Sequence, residues 1–203
     1  MTQPRTKQEA VAEFRSGEIL EAARKVFASK GFGSATVDDI AESAHISKGT
    51  IYLYFRSKRD LYLAALQEGV EEIHEQTNRR MALERSARDK LRAFVETRIY
   101  YFERNRDFFK ICQSEFGNLF THPSQLNEAF TELHTRQTKA LEAVVAEAIR
   151  CGELRPVRAD LAAFTIYEMT RGLIIQRLMG WSQAPAEADI DSLFDLIWKG
   201  IQP

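Results

Sequence analysis

Apolar positions recur at intervals of three and four residues along nearly the whole chain, while glycines and prolines fall between these stretches rather than inside them. Such spacing places apolar side chains on one face of a helix and predicts an all-α protein with no convincing strand. A first helix is expected over about residues 8–30, with Ile19, Ala22, Ala23, Val26 and Phe27 on one face. Gly31 after Lys30 is a candidate C-terminal cap, with Phe32 and Gly33 in the turn that follows. Thr36 and Asp39 have the spacing of a capping box, and the short helix they open turns Ile40, Ala41 and Ala44 inward. Ser47 caps a third helix with Ile51 and Phe55 inward, and Ser57 with Asp60 repeats the box for a fourth.

Three short helices, each with its own cap and one apolar stripe, form a tri-helical unit whose second and third members suit a helix-turn-helix. Beyond residue 62 the periodicity predicts a larger body of about six further helices. Breaks are expected near Arg85–Ser86, Asn105–Asp107, Thr121–Ser124, Gly152–Pro156 and Gly180–Pro185. The expected architecture is therefore about nine helices divided into residues 1–62 and 63–203.

Composition narrows the class. With 203 residues, 44% apolar and 28% charged, the chain buries at least one core and is not disordered. No apolar stretch approaches the roughly 18 residues that span a bilayer, and the start lacks the apolar region of a secretion signal, so a cytoplasmic location is expected. Cys112 and Cys151 are too few for a disulfide framework and lack metal-ligand spacing, which reads as two small buried hydrophobes. No cofactor or metal is implied. Up to residue 64 there are 10 basic and 8 acidic residues, against 18 and 21 afterwards, giving +2 and −3. An excess that small identifies no partner; what matters is whether cations share a face.

The third helix supplies such a face. With Ile51 and Phe55 inward, Lys48, Thr50, Tyr52 and Tyr54 are left outward: one cation, one hydroxyl and two phenols, all able to donate to phosphates and base edges. Gly49 carries no side chain, so the backbone can approach a phosphate closely, and the helix start at Ser47 and Lys48 favours an anion. Lys58 sits likewise in the first turn of the fourth helix. Taken singly, each has a plainer reading: Thr36 and Ser47 as caps, Tyr52 and Tyr54 as half-buried packing, Lys48 and Lys58 as solvated charges.

Taken together, Thr36-Val37-Asp38-Asp39-Ile40-Ala41 and Ser47-Lys48-Gly49-Thr50-Ile51-Tyr52-Leu53-Tyr54-Phe55-Arg56-Ser57-Lys58 resemble the DNA-binding signature of the TetR family of repressors. The resemblance is specific over about residues 15–62 and elsewhere consists of length and helical pattern. It implies a third helix in the major groove of double-stranded operator DNA, with Ser47, Lys48, Gly49, Thr50, Tyr52 and Tyr54 at the groove and phosphates. Thr36 and Lys58 match positions that clamp phosphates at the starts of the second and fourth helices. His45 stands where the turn usually has glycine, and Leu53 where a second tyrosine is frequent. Histidine tolerates left-handed backbone better than most residues, so the turn is expected to form, while Leu53 alters one contact and the base preference.

The resemblance further implies a homodimer reading a palindrome, since a two-fold pair spans half-sites about 34–36 Å apart. It also implies release by a small, largely apolar effector. The helices expected at about 157–180 and 187–200 carry Leu161, Phe164, Thr165, Ile175, Leu178, Met179, Ile190, Leu193, Phe194, Ile197 and Trp198. These either pair with the same helices of a second subunit or close the subunit's own core. Aromatics crowd the middle of the chain. Phe94, Tyr101, Phe109, Phe116 and Phe120 are core or pocket lining, and Gln113, Glu115, Tyr167, Glu168 and Arg171 are candidates to orient a ligand, with Glu168 and Arg171 equally readable as a private ion pair.

Two other classes compete. Glu42 with His45 and Glu71 with His74 have the Glu-x-x-His spacing of di-iron helical bundles, although the first pair falls at the end of a short helix. A helical protein-interaction module is the third, in which Lys48 and Tyr54 are dispensable.

Overall fold

A computed structural model describes the backbone of residues 7–118 and 125–203 and the side chains of residues 11–114, 131 and 134–203. Among them are nine helices and no strand: α1 Lys7–Ser34, α2 Val37–Ser43, α3 Lys48–Tyr54, α4 Lys58–Leu83, α5 Ala87–Arg104, α6 Arg106–Asn118, α7 Gln125–Arg150, α8 Ala159–Leu178 and α9 Ala186–Ile201. The breaks fall where the pattern expects them, apart from the one at 121–124, which lies outside the described residues. None of the described helices is long and apolar enough to cross a membrane.

Short-range chemistry shapes the N-terminal unit. Gly31, at φ 73° and ψ 163°, takes a backbone that L side chains rarely adopt and kinks α1 there. The capping box of α2 is complete: Thr36 Oγ1 accepts the Asp39 N–H at 3.1 Å, and Asp39 Oδ2 accepts the Thr36 N–H at 2.9 Å. Lys30 and the Thr36 hydrogen bonds hold the Asp39 carboxyl down at about 2. At the far end of α2 the His45 N–H bonds the Glu42 carbonyl at 3.1 Å and the Ile46 N–H bonds that of Ala41 at 3.0 Å. That is a Schellman ending with His45 at φ 55° in the usual place of glycine. Ser47 Oγ caps α3 through the Thr50 N–H, and Ser57 Oγ caps α4 through that of Asp60, each at 3.1 Å.

Ile19, Ala23, Ile40, Ile51 and Leu61 converge to the centre of this unit, each almost fully buried. Their cluster does not stop at residue 62; it runs on through Ala65, Leu66, Val70 and Ile73 of α4 to Tyr101 of α5 and Phe108 and Ile111 of α6. The expected division at 62 thus falls within α4. A second cluster joins α5, α7, α8 and α9 around Leu91, Phe94, Phe102, Leu141, Val145, Ile166, Ile190 and Phe194. Arg177 ties three of these helices together through Glu103 and Asp189. Cys112 is half-buried and Cys151 exposed, contrary to the expectation of two buried thiols; Cys151 falls in the turn after α7, which no core element covers.

Where the clusters meet, four helices are pinned at one level. Arg24 of α1 reaches Glu68 of α4 at 3.1 Å, and burial pushes the Glu68 carboxyl above its usual range while Arg24 pulls it down. The Tyr101 hydroxyl donates to Glu72 Oε2 at 2.8 Å and also lies 3.2 Å from the Gly69 carbonyl. The Phe108 ring lies so close to Gly69 that a Cβ there would stand 2.6 Å from two ring carbons. Gly69 is what lets α6 seat against α4.

Candidate functional site

The outer face of α3 is built by one inward residue. Ile51 is buried, Tyr52 is exposed and Leu53 is 83% exposed, the highest value among the exposed large apolar side chains described. Lys48 Nζ extends from the first turn to Asp38 Oδ2 of α2 at 2.7 Å, and that hydrogen bond raises the ammonium above the ordinary lysine value. Both partners are solvent-exposed, so the pair contributes little and Lys48 can exchange Asp38 for another anion. Gly49 is exposed and internally unconstrained: an added Cβ would meet only Ser47 Oγ, at 3.7 Å. The outer surface is left bare between Lys48 and Leu53.

A cavity of about 50 Å³ lies in the body against α4, α5, α6, α7 and α8. One water needs roughly 10–15 Å³ by the same measure, so it holds a few waters as it stands. Its wall is mostly apolar, with Val70 and Ile73 of α4, Phe108 and Phe109 of α6, and Ile174 and Ile175 of α8. Polar groups converge on it from Arg98, Gln113, His134, Gln137 and Arg171. Glu168 draws Arg171 to 2.5 Å and His134 Nε2 to 3.3 Å.

Comparison with known proteins decides the class. Residues 19–65 match the family described as bacterial regulatory proteins, tetR family, and residues 84–175 match the tetracyclin repressor-like C-terminal domain. The HTH-type transcriptional repressor KstR2 of Rhodococcus jostii is 30% identical over 138 residues, covering 66% of this chain and 68% of its own. This chain belongs to the TetR family of transcriptional regulators. The HTH-type transcriptional activator FasR of Mycolicibacterium smegmatis is 34% identical over 97 residues, 48% of this chain and 44% of its own length. The transcriptional regulator FadR of Bacillus subtilis, solved in complex with stearoyl-CoA, superposes with a TM-score of 0.79 at 22% identity, covering 89% of this chain and 96% of that one.

Within the TetR frame, the residues expected at DNA divide into two groups. Lys48, Gly49 and Tyr52 are exposed together on α3, with Thr50 half-exposed beside them and its Oγ1 2.9 Å from Ser47 Oγ. Tyr54 is turned further in than expected and packs on the core beside Phe55, because its place on the helix lies nearer the Ile51 side. Ser47 and Thr36 are engaged in their caps. Lys58 differs most from the expectation of a free phosphate clamp. Its ammonium donates to the Phe32 and Ala35 carbonyls at 2.7 and 2.9 Å and lies 4.5 Å from the Phe32 ring centre, closing the end of α1.

Of the residues expected at a ligand, Phe109, Gln113, Tyr167 and Arg171 line the cavity. Phe94 is buried in the body core and Tyr101 in the joint, neither on the cavity wall. Glu168 stands behind the wall as the partner of Arg171, and the side chains of Glu115, Phe116 and Phe120 lie outside the described residues. Arg98, His134 and Gln137 are lining residues that pattern reading misses, and the one signal for them is the charge of Arg98 on the apolar stripe Leu91, Phe94, Val95, Tyr101 and Phe102. TetR-family regulators are not enzymes, and the two Glu-x-x-His pairs are not brought together: Glu71 pairs with Arg136, His74 lies 3.0 Å from Asn78 Nδ2, and no metal-holding cluster occurs among the described residues.

The last two helices also divide. Ile190, Leu193, Phe194 and Ile197 are buried within the subunit, Trp198 stacks on Phe194, and Ile175 and Leu178 face the cavity. What remains outward is Leu161, Phe164 and Thr165 of α8, Met179 at its C-terminal end, and Leu196 of α9, a residue the periodicity assigns no role.

Proposed function

We propose that the chain represses transcription by binding a palindromic operator as a homodimer, and that a small, largely apolar effector releases it. The observation that carries this reading is the outer face of α3, where Lys48, Gly49, Thr50, Tyr52 and Leu53 lie open around a single buried anchor, Ile51. Phosphate contacts come from Lys48, and base-edge contacts from Thr50, Tyr52 and Leu53. Thr36, Ser47 and Lys58 position α2, α3 and α4, and Tyr54 seats α3 on the core. Such a chain works on DNA in the cytoplasm.

Leu161, Phe164 and Leu196 support dimerisation through residues 157–200, because exposed apolar side chains on adjacent helices mark an interaction face. The two functions divide at about residue 62 in reading and about residue 63 onward in sensing, joined through α4. An effector larger than a few waters must widen the cavity, and Phe108 stands between the cavity and Gly69 of α4. Displacing Phe108 therefore shifts α4 and with it the spacing of the two reading helices. A ligand that prefers the shifted state lowers operator affinity by its coupling energy, typically about 1–3 kcal/mol.

Selection of DNA from a random library by the purified protein, at a stated salt concentration, tests the reading. An enriched palindrome that disappears with Lys48→Ala and Tyr52→Ala is expected. Enrichment without two-fold symmetry overturns the dimer, and no enrichment overturns the operator itself.

A further inference from the structure

Arg98 stands on the inward stripe of α5 with 4% of its surface exposed. Among the described residues, its Nε is the one buried side-chain nitrogen or oxygen with no hydrogen-bond partner. Nη1 donates to Gln137 Oε1 of α7 at 2.7 Å, and the guanidinium carbon lies 4.5 Å from the Tyr167 ring centre and 5.4 Å from that of Phe94. No carboxylate of a described residue pairs with it.

A guanidinium stays protonated throughout the range in which proteins fold, so this charge is not shed on burial as a lysine's can be. Two aromatic faces and one neutral amide offset its desolvation in part, whereas buried charges ordinarily have a counter-ion. Glu168, beside the cavity, is shared between Arg171 and His134. Among the described residues no carboxylate is left to pair with Arg98, and the free Nε–H stands beside a wall that is mostly apolar.

We propose that the cavity takes an apolar molecule bearing one carboxylate, with a carboxylate oxygen accepting from Arg98 Nε and the apolar body against Val70, Ile73, Phe109 and Ile174. A planar carboxylate fits the plane of the guanidinium and supplies the charge-assisted acceptor that the Nε–H lacks. An ester or thioester brings no charge to pair with it. The inference rests on the reading of this body as an effector domain and names the class of effector.

Calorimetric titration of the full chain without DNA tests it, comparing decanoate with decanol and phenylacetate with phenylethanol. On the wild-type protein each carboxylate is expected to bind about tenfold or more tightly than its alcohol, the range of a charge-assisted hydrogen bond. Arg98→Gln is expected to bring each pair within about twofold, and Arg98→Lys, which keeps the charge but not the Nε–H, to restore part of the preference. Thermal melts qualify the variants as folded, and the matched pairs on the wild-type chain decide the question if Arg98→Gln does not fold. Equal affinity for acid and alcohol, no binding of either acid, or a preference untouched by both substitutions overturns the proposal. The same acids are then added to the protein on its selected operator. Binding without release leaves the Arg98 site standing and overturns the effector reading, while release by the alcohols alone overturns the carboxylate site and leaves the regulator.

Discussion

The reading head and the sensing body are both helical and both closed over apolar cores, yet their polar contacts are of different kinds. In the head the contacts that start the helices are local, with Thr36 and Asp39, Ser47 and Thr50, and Ser57 and Asp60 each three residues apart, and Lys58 adds a longer reach to the Phe32 and Ala35 carbonyls. In the body the polar contacts join distant segments, with Arg98 and Gln137 separated by 39 residues and His134 and Glu168 by 34. The starts of the head's short helices are therefore set by caps that a local stretch of sequence can specify. The body's site exists only once α5, α7 and α8 have packed. A head built this way keeps one reading surface, while a body built this way can be re-lined for a new ligand without disturbing it.

Five substitutions probe this contrast, and the largest effect belongs to the head's anchor. Ile51→Ala removes the one buried side chain of α3 and is expected to cost about 2–5 kcal/mol, with operator binding lost. Chemical denaturation followed by a probe in the body checks whether α5–α9 keep their midpoint; a common shift of equal size would mean that head and body unfold as one unit. Next is Gly69→Ala at the joint. The new methyl is driven into the Phe108 ring, an overpacking expected to cost about 1–3 kcal/mol. Ligand-free protein carrying it should bind operator more weakly, as if an effector were present, and unchanged affinity would remove Phe108 from the lever.

Smaller still is Thr36→Ala, which deletes a cap worth about 1 kcal/mol. The same box carries the head's acid sensitivity. The Asp39 carboxyl sits at about 2 in the folded chain against 3.8 ordinarily, so the unfolded chain binds the extra proton. Its contribution is complete above pH 3.8 and is lost as pH falls through about 2. Melts across that window should lose part of their slope in Asp39→Asn, and a profile identical to wild type would show that the hydrogen bonds to Lys30 and Thr36 do not persist in solution.

The contrast also explains how far sequence reading reaches. Caps, the turn at His45 and the buried stripe around Ile51 follow from residues within a few positions of one another, so α1 to α4 and most of the α3 face were legible. The partners Lys58 takes in the folded chain, the carbonyls of Phe32 and Ala35, are not legible, because they are more than twenty residues away and carry no side-chain signature. Tyr54 takes the half-buried of its two readings, which two apolar positions define too coarsely to choose. The cavity is legible in part: Phe109, Gln113, Tyr167 and Arg171 line it and Phe94 and Tyr101 take the core reading that aromatic crowding also allows, whereas Arg98 and Gln137 meet only through the α5–α7 packing. The TetR resemblance supplied the class of site in the body but not its lining.

The smallest expected effect tests how freely the head's surface meets DNA. Asp38 holds Lys48 at 2.7 Å and itself presents a negative charge toward any approaching phosphate. Asp38→Asn keeps the side chain's shape, releases Lys48 and removes that repulsion. Because a surface pair contributes roughly 0–1 kcal/mol, operator affinity should rise by no more than about fivefold. The gain should be largest in low salt and fade as ionic strength rises, since exposed charges are screened within about 10 Å at 0.1 M. Fluorescence anisotropy with labelled operator across a salt series measures both quantities. A gain that persists undiminished in high salt would place Asp38 against the bases, and a loss of affinity would show that the Lys48–Asp38 pair orients α3 on DNA instead of competing with it.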